Sequence, residues 1–145
     1  MLFSSCELEL VVINNCKMKR LIIDAAKDKV FFMLIDDNNI YNIAHENSKK
    51  NFEKLTVLLS EFLESKDLKL DKISQIYVNR GPGSFAGIRN SLSVVKAIHM
   101  VNNIDYFCYS LSDFNGENDV KYENIPNLCE KFNVKKNLIK PIYLS

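Results

Sequence analysis

Residues 20–24 (Arg-Leu-Ile-Ile-Asp) and 29–35 (Lys-Val-Phe-Phe-Met-Leu-Ile) are short runs of β-branched and aromatic side chains, and the Asp36-Asp37-Asn38-Asn39 cluster turns into a third run at 40–46. Three strands in direct succession predict an antiparallel meander. Phe52, Leu55, Leu58, Leu59, Phe62 and Leu63 then recur at helical spacing, an apolar face about 140° wide at ~100° per residue, with Ser48 or Asn51 as N-cap. A strand at 73–79, a glycine cluster, a second helix from 84 to about 101 and a fifth strand at 104–110 complete the pattern. The order β-β-β-α-β-α-β predicts an α/β fold with a mixed sheet, in which the helices return strands in parallel. Beyond Asp113 the signal fades into a polar, turn-like stretch at 115–125, a short helix at 126–132 and an apolar end, Ile-Lys-Pro-Ile-Tyr-Leu. Neither an internal repeat nor a separating linker interrupts the chain, so one domain with a modest tail is expected.

The second helix carries more apolar surface than a sheet can cover. Ile88, Leu92, Val94, Val95, Ala97, Ile98 and Val101 span an arc of roughly 220°, whereas a helix lying on a sheet needs about 100°. The surplus must be covered by a partner or by the chain's own tail, through Ile139, Ile142, Tyr143 and Leu144. With little chain left after the fifth strand, a partner is the expectation, and Ile88, Leu92, Val94, Val95, Ile98 and Val101 are its interface residues.

Composition mainly excludes. Among 145 residues, 47% are hydrophobic and 26% charged, and 19 basic against 18 acidic side chains leave a net charge of +1, no footprint for direct binding of nucleic acid or an anionic membrane. The longest apolar runs, 8–13 and 30–35, are far too short to span a bilayer. Glu7 and Glu9 stand where a secretory signal would be positive. Met18-Lys-Arg-Leu-Ile-Ile-Asp reads as a protein start followed by a strand, which makes residues 1–17 an extension. Cys6, Cys16, Cys108 and Cys129 form no CxxC pair and match no zinc or disulfide framework, so reduced thiols and a cytoplasmic location are expected.

Glycine is scarce and clustered. Four residues in 145 are well under half of the usual ~7%, yet Gly81, Gly83 and Gly87 fall together with Pro82, joining a strand to a helix. That junction is where backbone N–H groups can be aimed at an anion, and Ser84 is a good N-cap. Against a phosphate cradle stand the absence of the Lys-Ser/Thr of a P-loop and of GxGxxG spacing, and a proline that removes one donor. A structural tight turn and a ligand cradle both remain open on local chemistry.

The full window, Arg80-Gly-Pro-Gly-Ser-Phe-Ala-Gly-Ile-Arg89, resembles the GPGSFTGLR signature of the TsaB (YeaZ) family, accessory subunits of the machinery that makes threonylcarbamoyladenosine in tRNA. The likeness extends over most of 18–113: Leu21-Ile-Ile-Asp-Ala-Ala26 is similar to the family's opening strand, 51–59 to its first helix, and Tyr109-Ser-Leu-Ser to its short Val-Ser-Ser/Thr-Leu segment. Lys140-Pro-Ile-Tyr-Leu144 is similar to the close of the family's second lobe. The resemblance implies a lobe of the actin/Hsp70-like ATPase type (ribonuclease H-like) over 18–113, with 114–145 as a short tail in place of most of a second lobe. It implies pairing through the helices with a TsaD-type catalytic subunit or a second copy, possible company of a TsaE-type ATPase, and catalysis in the partner. The signature residues carried over are Gly81, Pro82, Gly83, Ser84, Phe85, Gly87 and Arg89. The sequence departs from the pattern at Ala25 and Ala86, where the family has Thr, and at Asn51, where it has a histidine in the first helix.

The remaining candidates are few. His45 and His99 stand alone, without HxxxH or HExxH spacing, which leaves no basis for a metal pair or a Ser-His-Asp triad. Asp24 is either a strand-end turn residue or a degenerate nucleotide-site carboxylate. Under the alternative of a nucleotide-binding ATPase-like lobe, it and the 81–87 loop would hold ATP or ADP with Mg, and an inactive remnant of such a lobe is the further alternative; otherwise no cofactor is expected. Arg89 can meet a partner's carboxylate, or Asp24 or Glu46.

Overall fold

The computed structural model describes residues 18–143; the extension read at 1–17 and the last two residues lie outside the described part. Five strands form one mixed sheet: β1 (Lys19–Asp24), β2 (Lys29–Asp36), β3 (Asn39–Glu46), β4 (Gln75–Asn79) and β5 (Asp105–Tyr109), in spatial order β3-β2-β1-β4-β5. β1, β2 and β3 pair antiparallel, as the meander predicts, and β4 and β5 add in parallel through helical crossovers. Asp37, at φ 56°, makes the β2–β3 turn in the left-handed conformation that Asp tolerates.

The predicted first helix is two. α1 (Lys49–Glu53) is capped by Ser48, whose side chain accepts from the Asn51 N–H, and a break at Lys54 starts α2 (Leu55–Glu64). The break rotates the apolar face so that Phe52 and the Leu55, Leu58, Leu59, Phe62, Leu63 set are all buried. The 18-residue α3 (Phe85–Asn102) ends on Asn103 in the left-handed conformation, with His99 Nδ1 2.9 Å from the Ile104 carbonyl. His99 thereby serves a helix end, and His45 lies edge-on to Phe32.

The two sheet faces have separate cores. α1, α2 and α3 cover Leu21, Ile23, Val30, Phe32, Ile76 and Val78 on one face. On the other, α4 (Ile125–Lys131) and its approach cover Ile22, Met33, Tyr77 and Tyr109 with Phe114, Ile125, Leu128 and Cys129. Burial pushes the Cys108 and Cys129 thiols up to about 12. The edge of β5 is closed by the chain's own tail, Asn137 N–H donating to the Tyr106 carbonyl and Asn137 Oδ1 accepting from the Tyr106 N–H. Among the described residues no helix is long and apolar enough to cross a membrane, and no group of three or more His, Cys, Asp or Glu could hold a metal ion.

Candidate functional site

The glycine window joins β4 to α3. Its donors turn inward: Gly81 N–H donates to Asn79 Oδ1 at 2.9 Å, Ser84 N–H to the Ala26 carbonyl at 2.9 Å, and Gly87 N–H to Ser84 Oγ at 3.1 Å. Gly81 sits at φ +107°, which disfavours any side chain, and the Gly81–Pro82 peptide is cis. A Cβ on Gly83 or Gly87 would run into the Ala26 or Ala25 carbonyl oxygen. The glycines thus let the start of α3 press against the backbone that leaves β1, with Ala25 and Ala26 buried beneath. Of the two open readings, this geometry is that of the tight turn. Ala86, by contrast, is exposed.

Asp24 lies at the C-terminal end of β1, buried. Its Oδ1 accepts from the Ala26 N–H at 3.0 Å, and its Oδ2 accepts from Asn79 Nδ2 at 3.1 Å and the Tyr122 hydroxyl at 2.7 Å. Tyr122 stacks on Phe31 with ring centroids 4.2 Å apart, under Lys27 Nζ at 5.5 Å. Burial, then the neighbouring Asp24 charge, pushes the Tyr122 hydroxyl well above its ordinary value, so it stays a donor. Both carboxylate oxygens are engaged by this chain's own groups, an arrangement that does not fit a metal-bridged phosphate. Asn79 follows the Asx-turn pattern two residues before a glycine. Tyr122 lies in the polar stretch and gives no local signal, because its partner is 98 positions away.

The wide arc of α3 divides. Ile88, Leu92, Val95 and Ile98 are buried against the sheet and the other helices, which corrects their reading as interface residues: they belong to the core. Val94 is half-buried and Val101 is 81% exposed. The tail covers the first half of the helix. Ile142 N–H donates to the Arg80 carbonyl at 2.7 Å, Tyr143 meets Phe85 with centroids 4.7 Å apart, and Ile139 packs on the core. Even so, Phe85 remains 57% exposed. Arg89 lies exposed between α3 and the tail, and among the described residues it forms no ion pair. Arg80 ties the junction together, pairing with Asp113 at 2.7 Å and donating to the Lys140 carbonyl at 3.2 Å.

Among the described residues, nothing covers the outer side of the second half of α3. Val94, Ala97, Ile98 and Val101 form one side of a mostly apolar groove of about 420 Å3, with Thr56 of α2 and Leu70 on the other. Beside it, a smaller hollow of about 240 Å3 runs along Leu59, Leu63 and Leu68.

Comparison with known proteins agrees with this geometry. The family model described as "TsaD: tRNA N6-adenosine threonylcarbamoyltransferase" matches residues 40–112, half of the chain. A protein of Buchnera aphidicola subsp. Baizongia pistaciae (strain Bp) described as "tRNA threonylcarbamoyladenosine biosynthesis protein TsaB" is 32% identical over 73 residues, covering 50% of this chain and 33% of that one. "YeaZ from Pseudomonas aeruginosa" superposes with a TM-score of 0.61 at 18% identity, over 67% of this chain and 46% of that one. A second structure, of an uncharacterized protein with similarity to peptidase YEAZ from Pseudomonas aeruginosa, gives the same TM-score and identity over 45% of its length. The chain therefore spans a third of its curated relative and under half of the solved ones. With half of the sequence matched by its model, the chain belongs to the TsaD-like family, and its fold is that of the YeaZ structures.

Proposed function

We propose that this protein is a binding subunit, without chemistry of its own, that supports a TsaD-type catalytic subunit in the threonylcarbamoyladenosine modification of tRNA in the cytoplasm. The observation that carries the reading is the bare half of α3. An exposed apolar groove on a helix pair, in a chain of near-neutral charge, suits a partner helix better than nucleic acid or a small polar substrate. The partner's helix would lie along Val94, Ala97 and Val101, with Thr56 and Leu70 across the groove. The curated relative's description supplies the pathway, and the buried surroundings of Asp24 favour a binding role over nucleotide chemistry.

Co-expression with the same organism's TsaD-like protein, followed by size-exclusion chromatography, tests the reading. The expected result is a complex that Val94→Asp and Val101→Asp dissolve while leaving the fold intact. Migration of both proteins as separate species, with Val94→Asp changing no oligomeric state, would overturn it.

A further inference from the structure

Among the described residues, Arg20 is a cation that neither the fold nor the proposed interface pairs with a carboxylate. It stands on β1 beside Gln75 of β4, on the α4 side of the sheet. Its Nε is buried without a hydrogen-bond acceptor, and among the described residues its guanidinium lies beside the Tyr77 hydroxyl and 3.7 Å from the Met18 sulfur, with no carboxylate paired to it. A buried, unpaired donor of a charged group is costly, and native structures normally satisfy it. The group faces a cleft of about 390 Å3 between the sheet and α4, a volume within the ~300–1,000 Å3 typical of small-molecule sites.

The lining specifies the ligand's chemistry. Gln75 Oε1 already accepts from the Tyr77 hydroxyl at 2.7 Å, which leaves the amide NH2 to donate alongside Arg20. Tyr77 and Phe107 stack at 5.0 Å, 11° from parallel, and form a flat apolar wall. Glu130 lines the same cleft from α4, placing one negative charge opposite the guanidinium. A planar fork of donors beside a second amide suits a carboxylate, the aromatic wall suits a flat apolar body, and Glu130 disfavours a multiply charged anion. We infer that the cleft between β1, β4 and α4 binds a small flat monocarboxylate, its carboxylate on Arg20 and its body against Tyr77 and Phe107. The site lies on the sheet face opposite α3 and does not depend on the partner reading.

Amide-resolved NMR titration of the full chain with benzoate tests this, with inorganic phosphate as the second arm. Saturable shifts confined to β1, β4, β5 and α4 are expected with benzoate and not with phosphate. Arg20→Gln is expected to weaken binding about 10-fold or more. Should Arg20→Gln fail to fold, Glu130→Gln on the exposed side of α4 decides: tighter benzoate binding supports the site, and unchanged binding overturns it. No saturable shift with benzoate, equal binding of phosphate, or full binding by a folded Arg20→Gln also overturns it.

Discussion

The two ends of α3 solve the same problem in opposite ways. At its N-terminal end the glycine turn and the carboxylate beside it are answered from within the chain. The glycines press on the Ala25 and Ala26 carbonyls, Asp24 is held by Asn79 and Tyr122, and the tail lies over Phe85. At its C-terminal end Val101 is left facing solvent beside an empty apolar groove. The end that carries the most recognisable sequence is the one whose glycines and buried carboxylate are met by the chain's own groups. The end that carries no motif is the one that the described residues leave uncovered. A signature of this kind marks the packing it demands, while the proposed interaction surface is defined only by what stays uncovered.

The sharpest way to break this contrast is to truncate matched aliphatic side chains at the two ends. Ile88→Ala is expected to cost about 2–5 kcal/mol in urea denaturation, whereas Val101→Ala stays within ~0.5 kcal/mol. Equal effects would mean that the bare end is packed after all. Gly87→Ala comes next, at about 1–3 kcal/mol by the same measurement, because the added methyl must displace the Ala25 carbonyl. Tyr122→Phe removes one of the donors to buried Asp24 and is expected to cost about 1–2 kcal/mol.

Alkaline pH tests the buried tyrosines on the α4 side of the sheet, Tyr122 beside Asp24 among them, without mutation. Burial raises the Tyr77 hydroxyl to about 12 and also pushes those of Tyr109 and Tyr122 well up from an ordinary value of about 10. A raised folded-state value means that the stabilisation is full below about pH 10 and falls as pH rises, because the unfolded chain releases these protons first. Thermal unfolding by circular dichroism should therefore drop steeply above that pH, and less steeply in Tyr122→Phe. The smallest effect is expected from Tyr143→Ala: the Phe85–Tyr143 pair is partly exposed, so its loss should cost about 0.5 kcal/mol.

Most of the architecture was legible because it rests on local periodicity. The five strands and α3 fall within two residues of the runs that predict them. The kink at Lys54 was not legible, since Phe52 and Leu55 are compatible with one continuous helix and only tertiary packing selects the break. The width of the α3 arc correctly signalled surplus apolar surface, but periodicity cannot assign each residue its cover. Core, tail and solvent share the arc, so four of the six interface expectations became core. Tyr122 and Arg20 stayed invisible for a different reason. Their roles come from juxtaposition across the sheet, Tyr122 with Asp24 and Arg20 with the Tyr77–Phe107 wall, and no window of neighbouring residues contains it.

Arg80 has a kinetic consequence. It joins β4 to Asp113 and, through its guanidinium and carbonyl, to Lys140 and Ile142. Contacts that close loops of this length are reached late, after local structure has paid for chain closure. The groove beside Val101 is built from α2, the Leu70 turn and α3, which are nearer to one another in sequence than Arg80 is to Lys140 and Ile142. A folding chain would then present its sticky end before its signature end is fastened, and a partner arriving early would meet the groove while the strap is still free.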